Sequence, residues 1–218
     1  MLELLPPLLD GAWLTVRITA VASLLAAALA LAAGLARLSA WRPVRALAAV
    51  YVETFRGTSL LVQLFWLYFV LPLPPFSLEL DAFTVAVLGL GLNIGAYGAE
   101  VVRSAIQAVP RSQIEASVAL NMTPALRMRR IVLPQAALAM LPPWGNLMIE
   151  LLKGTSLVSL ITLGDLTFRA SQLNAFTFRT VEIFTLVLVI YFLLAQAIAL
   201  AVRAAERRLS RGIARRTA

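Results

Sequence analysis

PRSQIEASVALNMTPALRMRRIVLP, residues 110–134, decides how this chain is read. It is a polar, arginine-bearing island between long apolar runs, in a sequence of 218 residues that is 61% hydrophobic with a mean hydropathy of +0.86. That is more apolar surface than a soluble domain of this length can bury, so the chain belongs in a bilayer. A membrane protein rarely keeps such a polar segment unless something at the membrane surface binds it. Within the island Ile114 and Val118 share a helix face, with Ala119 and Met122 close to it, and Arg111 and Glu115 are placed to pair at i, i+4. Asn121 suits the left-handed residue that ends a helix, second only to glycine. Thr123 and Pro124 read as the N-cap and first-turn proline of a second helix. Helix, turn, helix is the prediction.

Crossing the hydrocarbon core takes about 20 apolar residues of α-helix. Five segments approach that length: 12–35, 46–71, 83–102, 131–152 and 183–202. The second carries Glu53 and Arg56, and the fourth carries Pro134, Pro142 and Pro143. Helix breakers in a span are tolerated where neighbouring helices or a cavity satisfy the freed backbone groups. The start of the chain has Glu3 and Asp10 and no basic residue before Arg17, so the first apolar run reads as a retained span, not a cleaved secretory signal.

Loop charges set the orientation. Arg37, Arg42 and Arg45 follow the first span; Arg103, Arg111, Arg127, Arg129 and Arg130 follow the third; Arg203, Arg207, Arg208, Arg211, Arg215 and Arg216 fill the tail. The opposite loops hold Glu79, Asp81, Lys153, Arg169 and Arg179. The arginine-rich side is cytoplasmic, which puts the N-terminus outside and the C-terminus inside. The expected fold class is thus an all-α integral membrane protein of about five transmembrane helices, a single domain over 1–218 with a basic cytoplasmic tail at 203–218. The net charge of +8 belongs to membrane orientation and not to nucleic acid. With no cysteine and no histidine, disulfides, thiolate or imidazole metal sites and His- or Cys-based catalysis are excluded, and no cofactor is expected on this chain.

An ionisable group near the centre of a span costs roughly 2.5 to 3.5 kcal/mol on the insertion scale, so each needs a partner or a water path. Glu53 and Arg56, Glu100 and Arg103, and Glu150 and Lys153 are each three residues apart, which puts both members on one helix face. The first two pairs read as neutralising staples. The third precedes Gly154, Thr155 and Ser156, a composition suited to an interrupted helix with exposed backbone groups near a cavity. With Asp165, these residues offer opposite charges for the amino and carboxylate groups of a zwitterion; a purely structural hairpin is the alternative. Asn93, Tyr97 and Asn146 add polar groups that fit a solute path. Gly91 and Gly95 form a small-xxx-small pair, which supports close helix contact inside a dimer.

Glu115, Ala116 and Ser117, then Asn121, then Ile131, Leu133 and Pro134 resemble the EAA loop of permeases in ABC importers, where Gly stands at the position of Asn121. YVETFRGTSLLVQLFWLYFVLP at 51–72, NIGAYGAEVVRSAIQAVPRSQIEA at 93–116 and LPQAALAMLPPWGNLMIELLKGTSL at 133–157 are similar to the polar amino acid branch of that family. Ser59 replaces a proline of the branch, Ser112 a glycine and Gly154 an aspartate. The resemblance implies a coupling helix, at about 110–130, that seats Gln113, Glu115, Ala116, Ser117 and Asn121 against an ATPase, with Ala116 and Ser117 small enough to sit deep. It implies a multi-pass permease of the bacterial inner membrane, paired with itself or a sister permease, two ABC ATPase subunits and an extracytoplasmic solute-binding protein. ATP and Mg are then bound by the ATPase, since this chain has no phosphate-binding Gly-rich loop. The implied cargo is a small polar solute, a polar amino acid or a related zwitterion, ectoine and hydroxyectoine included. Loss of an acidic group at Gly154 disfavours a strongly cationic one.

Three other readings stand beside this one. The loop also fits an amphipathic connector resting on lipid. An ion-coupled secondary transporter subunit needs no ATPase, but the chain shows none of the repeated halves common in such proteins. A membrane-embedded enzyme or scaffold is the reading from another class.

Overall fold

The computed structural model describes residues 2–214 and is helical in all its regular elements. Arg215 and Arg216 of the expected basic tail lie outside the described residues. After a 3-10 turn at Leu2–Leu4, α1 runs over Leu5–Ala36, with proline in its first turn, where a missing N–H costs nothing. At 1.5 Å per residue it is roughly 48 Å long, enough to cross a bilayer. Its buried residues Ala12, Thr15, Thr19, Ala22, Ala26, Ala30 and Gly34 recur at three- and four-residue spacing and are small. The hydroxyls of Thr15 and Thr19 return to the carbonyls four residues back, at 3.1 and 2.8 Å, so neither is left unpaired in the apolar interior.

The face that α1 buries meets α4 (Ala82–Gln107), and the two make the most extensive helix contact in the chain. A Cβ added at Gly98 would lie 2.8 Å from Ala30 Cβ and 2.6 Å from the Trp144 ring, and one at Gly34 would lie 2.7 Å from Val102. Gly91 and Gly95 face Leu25 and Leu29 of α1 in the same seam. The glycine stripe expected to pack a dimer is therefore used within this chain, where neighbouring side chains such as Leu25, Leu29 and Ala30 lie directly on its bare backbone and gain close dispersion contact. Asp81 caps α4, accepting from the Thr84 backbone N–H at 3.0 Å and from its hydroxyl. Those bonds hold the Asp81 carboxyl below the usual aspartate range, the Thr84 hydroxyl foremost. The cap's contribution is thus present above the unfolded pKa and lost as pH falls through the folded one.

Among the described residues three helices are long and apolar enough to span a membrane: α1, α4 and α9 (Thr180–Ala214). A fourth is added if the helical run Pro124–Ile161 and α8 (Leu166–Thr177), bent by 51°, count as one. The expected second span is not a continuous helix. It divides into the amphipathic α2 (Arg42–Gly57) and α3 (Leu60–Phe65), which passes into a π-helical turn at Trp66–Val70. The expected fourth span begins earlier than its apolar run, with α6 (Pro124–Arg127) and a π-helical turn at Met128–Val132 leading into α7 (Leu133–Gly154). Pro142 and Pro143 lie inside α7 without ending it. After Gly154 the helix tightens to 3-10 geometry over Thr155–Ile161, the interruption expected from the Gly-Thr-Ser run.

Among the described residues three apolar clusters hold these elements together. One joins Ile18, Ala22 and Ala26 of α1 to Leu90 and Ile94 of α4 and Leu147 and Leu151 of α7. A second packs Leu4 and Leu8 against Leu166 and Ala170 of α8 and Ile183 and Val187 of α9. The third joins Ala30 to Val102, Ile106 and Ala136. In the apolar window of α9 only 11% of residues are buried, which leaves its large side chains, Leu188 and Phe192 among them, exposed on the outside of the bundle.

Gly98→Leu forces a branched side chain into the α1–α4 seam and is expected to lower stability by about 1–3 kcal/mol. Gly57→Ala has nothing within 4 Å and should change little. Thermal unfolding of the two variants in detergent, followed by helical circular dichroism, separates them.

Candidate functional site

Chain order places the end of α1, the start of α2 and the end of α4 at one end of the bundle, and the polar island follows there. Its helix α5 (Arg111–Ala119) is closed by a pair of bonds: Asn121 N–H donates to the Val118 carbonyl at 2.9 Å, and Met122 N–H to the Ser117 carbonyl at 3.0 Å. This is the Schellman arrangement, and it requires a left-handed residue between them; Asn121 has φ +54°. Thr123 then caps α6, accepting from Leu126 N–H at 3.4 Å, with Pro124 in the first turn. The predicted helix, turn and helix are all present. Arg111 and Glu115 form no ion pair among the described residues; both side chains point into solvent.

Gln113, Glu115 and Ala116 are exposed, as are Val118 and Leu120, at 55% and 75%. Ser117 is turned inward, buried at 1%, with its hydroxyl on the Ile114 carbonyl at 2.6 Å. The small residue on the outer face is therefore Ala116, and Ser117 is instead turned inward with its hydroxyl closed on the backbone of α5 itself.

A charged belt joins the end of α1 to α2 and α4. Arg37 lies 3.4 Å from Glu53 and 3.0 Å from Glu100, and Glu100 also binds Arg103 at 2.7 Å. The staple expected between Glu100 and Arg103 is formed. The one expected between Glu53 and Arg56 is not: Glu53 turns to Arg37, and the Arg56 guanidinium stacks 5.2 Å from the centre of the Tyr97 ring. A cation over an aromatic face is held by the ring quadrupole without a carboxylate.

Next to Arg56, the break between α2 and α3 leaves backbone carbonyls without helical partners, and a knot of amides takes them. Gln63 Nε2 donates to the Phe55 carbonyl at 3.0 Å and to the Thr58 hydroxyl at 2.7 Å. Asn93 Nδ2, buried in α4, donates to the same Phe55 carbonyl at 3.0 Å and to Gln63 Oε1 at 3.2 Å. The Tyr97 hydroxyl reaches the Arg56 carbonyl at 3.5 Å, and the Tyr51 hydroxyl donates to Leu92 O at 2.7 Å. Sequence reasoning singled out Asn93 and Tyr97 but missed Gln63, Thr58 and Tyr51. Gly57-Thr58-Ser59 followed by a glutamine inside an apolar run is the signal that finds them.

On α7, Asn146, Glu150 and Lys153 lie at spacings of four and three on one exposed face. Glu150 and Lys153 form no ion pair among the described residues, so both charges are available to something else. Thr155 is buried with its hydroxyl on the Leu152 carbonyl at 2.6 Å, and Ser156 is half-buried with its own on the Lys153 carbonyl at 2.8 Å. Asp165 is fully buried as the N-cap of α8, accepting from Phe168 N–H at 3.0 Å and Thr167 N–H at 3.1 Å. The structure thus gathers Asn146, Glu150 and Lys153 into one polar stripe and keeps Thr155 and Asp165 inside the packing beside it. An apolar cleft of about 590 Å³ between α1, α7 and α9, lined by Val16, Trp144, Met148 and Ile198, contains none of these residues.

Residues 26–211 match the family model for the binding-protein-dependent transport system inner membrane component. The chain is 46% identical over 213 residues to a probable amino-acid ABC transporter permease protein of Sinorhizobium fredii, a match covering 96% of this chain and 90% of that one. It is 37% identical over 211 residues to an L-cystine transport system permease protein of Bacillus subtilis, covering 96% and 89%. A crystal structure of an amino acid ABC transporter with histidines superposes with a TM-score of 0.88 at 36% identity, covering 95% of this chain and 96% of its own. The chain belongs to the family of binding-protein-dependent transport system inner membrane components. It is a multi-pass inner-membrane permease, and these relatives do not favour the reading as a secondary transporter.

If Asn121 is present for its left-handed backbone, Asn121→Gly leaves stability equal or slightly raised, whereas Asn121→Val costs roughly 1–2 kcal/mol. Denaturant unfolding in detergent measures both.

Proposed function

We propose that this chain is the membrane-spanning subunit of an ATP-driven importer that carries a polar amino acid, or a related zwitterion such as an ectoine, into the cytoplasm. The observation that carries the reading is the exposed α5 surface of Gln113, Glu115 and Ala116, ended by the Asn121 turn, in a chain whose relatives are permeases of amino-acid ABC transporters. An amphipathic connector resting on lipid has no need of a rigid Schellman stop or of an exposed carboxylate beside a small residue. In this reading α5 docks on an ABC ATPase, which holds ATP and Mg; this chain holds no cofactor of its own. Counting α2 with α3 as one span and the bent α7 run as another gives five, with the N-terminus outside and the C-terminus inside.

Movement of α5 is passed to α4 through the short link at 108–110, and α4 carries the groups that line the path. Asn93 and Tyr97 sit at the break in the second span, where small shifts expose or cover backbone carbonyls. Asn146, Glu150 and Lys153 form the opposite polar wall, and Thr155, Ser156 and Asp165 shape its end. Glu150 and Lys153, neither held by an ion pair, suit the ammonium and carboxylate of a zwitterion. A Cβ at Gly154 would lie 3.1 Å from Leu90 and 3.3 Å from Leu60, so the acidic group implied by the resemblance is replaced here by an apolar corner. That favours a neutral zwitterion over a strongly cationic solute. A solute-binding protein outside and a second permease, a copy or a sister, complete the assembly.

Glu115→Ala tests the docking role. In proteoliposomes holding the permease, its ATPase and its binding protein, solute uptake is expected to fall at least tenfold, while ATP hydrolysis is either lost or runs without regard to solute. Uptake and hydrolysis equal to wild type would remove the docking role.

A further inference from the structure

At the coupling-helix end of the bundle, α1, α2 and α4 enclose a cleft of about 500 Å³ lined by Arg37, Arg42, Arg45, Arg103 and Gln107, with Ala46 and Ala49 as its floor. We propose that this cleft is a binding site for the headgroup phosphate of an anionic phospholipid. Such a site needs only the membrane location of the chain and does not depend on which solute is carried.

Among the described residues no carboxylate lines the cleft. Glu53 and Glu100 stand behind it and neutralise Arg37 and Arg103, which keeps those two guanidiniums in place. Arg42 and Arg45 have no carboxylate partner among the described residues. Arg45 donates to the Ser39 carbonyl at 3.2 Å, and among the described residues the Arg42 side chain has no hydrogen bond or ion pair. Two uncompensated guanidiniums on a floor of small residues are a fork-shaped receptor for phosphate oxygens.

The start of α2 adds to the same field. Trp41 is extended (φ −77°, ψ 110°) and gives α2 no side-chain cap, so the first-turn N–H groups of Arg42 and Val44, on either side of Pro43, which has none, remain for an anion. What lies beside the cleft selects a lipid over a free anion. Trp41, Leu47 and Val50 are exposed at 68%, 73% and 65%, an indole and an aliphatic strip next to the arginines. Tryptophan at headgroup level with apolar side chains beyond it matches the profile of a lipid molecule from phosphate to acyl chain. Basic pockets between membrane helices on the cytoplasmic side take anionic headgroups in this way. A lipid held there ties the end of α1 to the start of α2 and to the end of α4, from which the coupling helix leaves.

The test uses the full chain with its ATPase in phosphatidylcholine nanodiscs carrying spin-labelled phosphatidylglycerol or spin-labelled phosphatidylcholine, and reads the motionally restricted fraction. The expected result is a preference for phosphatidylglycerol that drops about fivefold for each arginine removed in Arg42→Gln and in Arg42→Gln/Arg45→Gln. Arg42→Lys/Arg45→Lys should keep most of it. Arg42→Gln breaks no internal contact, so its effect is not one of folding. Four outcomes overturn the proposal: no preference in the wild type, no loss in Arg42→Gln, an equal loss in Arg129→Gln/Arg130→Gln, which signals diffuse attraction only, or saturable binding of inorganic phosphate with no preference among lipids.

Discussion

The contact between α1 and α4 is the constraint from which the other features follow. Alanine and glycine at helical spacing on both helices let the backbones approach until a single added methyl at Gly34 or Gly98 would overlap the neighbour. In lipid no hydrophobic gain draws two apolar helices together, so close packing has to do it. Because α4 is fixed against α1 along its whole length, everything it carries has a defined place. Asn93 and Tyr97 stand at the break in the second span, Glu100 and Arg103 in the charged belt, and the link to α5 at the membrane surface.

The break between α2 and α3 is possible only because α4 is fixed in this way. A carbonyl freed at 55–58 that meets neither water nor a donor costs as much as a lost hydrogen bond or more. Gln63 from within the broken span and Asn93 from α4 both donate to the Phe55 carbonyl, which satisfies it with side chains that are rare in an apolar run. The charged belt follows the same logic. Two arginines and two glutamates share bonds across α1, α2 and α4, and a third arginine, Arg56, is left to the Tyr97 ring. In the proposed reading, the groups of the solute path and the link to the docking helix thus lie on one helix, α4.

Much of this was legible in residue order because the signals are local. Asn121 announces a left-handed stop, Thr123-Pro124 a helix start, and Gly154-Thr155-Ser156 a change of helix type; each is found. Glu100 and Arg103 pair as their spacing requires. What sequence spacing did not supply is partners from other elements. Glu53 leaves Arg56, three residues away, for Arg37 at the end of α1, because tertiary proximity outweighs a helix neighbour. Asp165 looks like a charge beside a path until α8 appears, a helix that no apolar run of spanning length announces, and Asp165 turns out to be its cap. The glycine stripe shows close packing in the sequence but not against which helix; α1 of the same chain fills that role.

Docking of α5 on an ATPase is the central claim, and protection of one of its residues tests it most directly. The chain has no cysteine, so Ala116→Cys places a single thiol on the exposed face of α5. Its alkylation rate with a bulky maleimide is compared in the isolated permease and in the permease assembled with its ATPase. Docking predicts rapid labelling in the first and strong protection in the second, with Phe176→Cys, at a position 85% exposed on α8, labelled equally in both. Equal labelling of the Ala116→Cys variant in both states would contradict it, since a seated coupling helix cannot leave that position open to a bulky reagent.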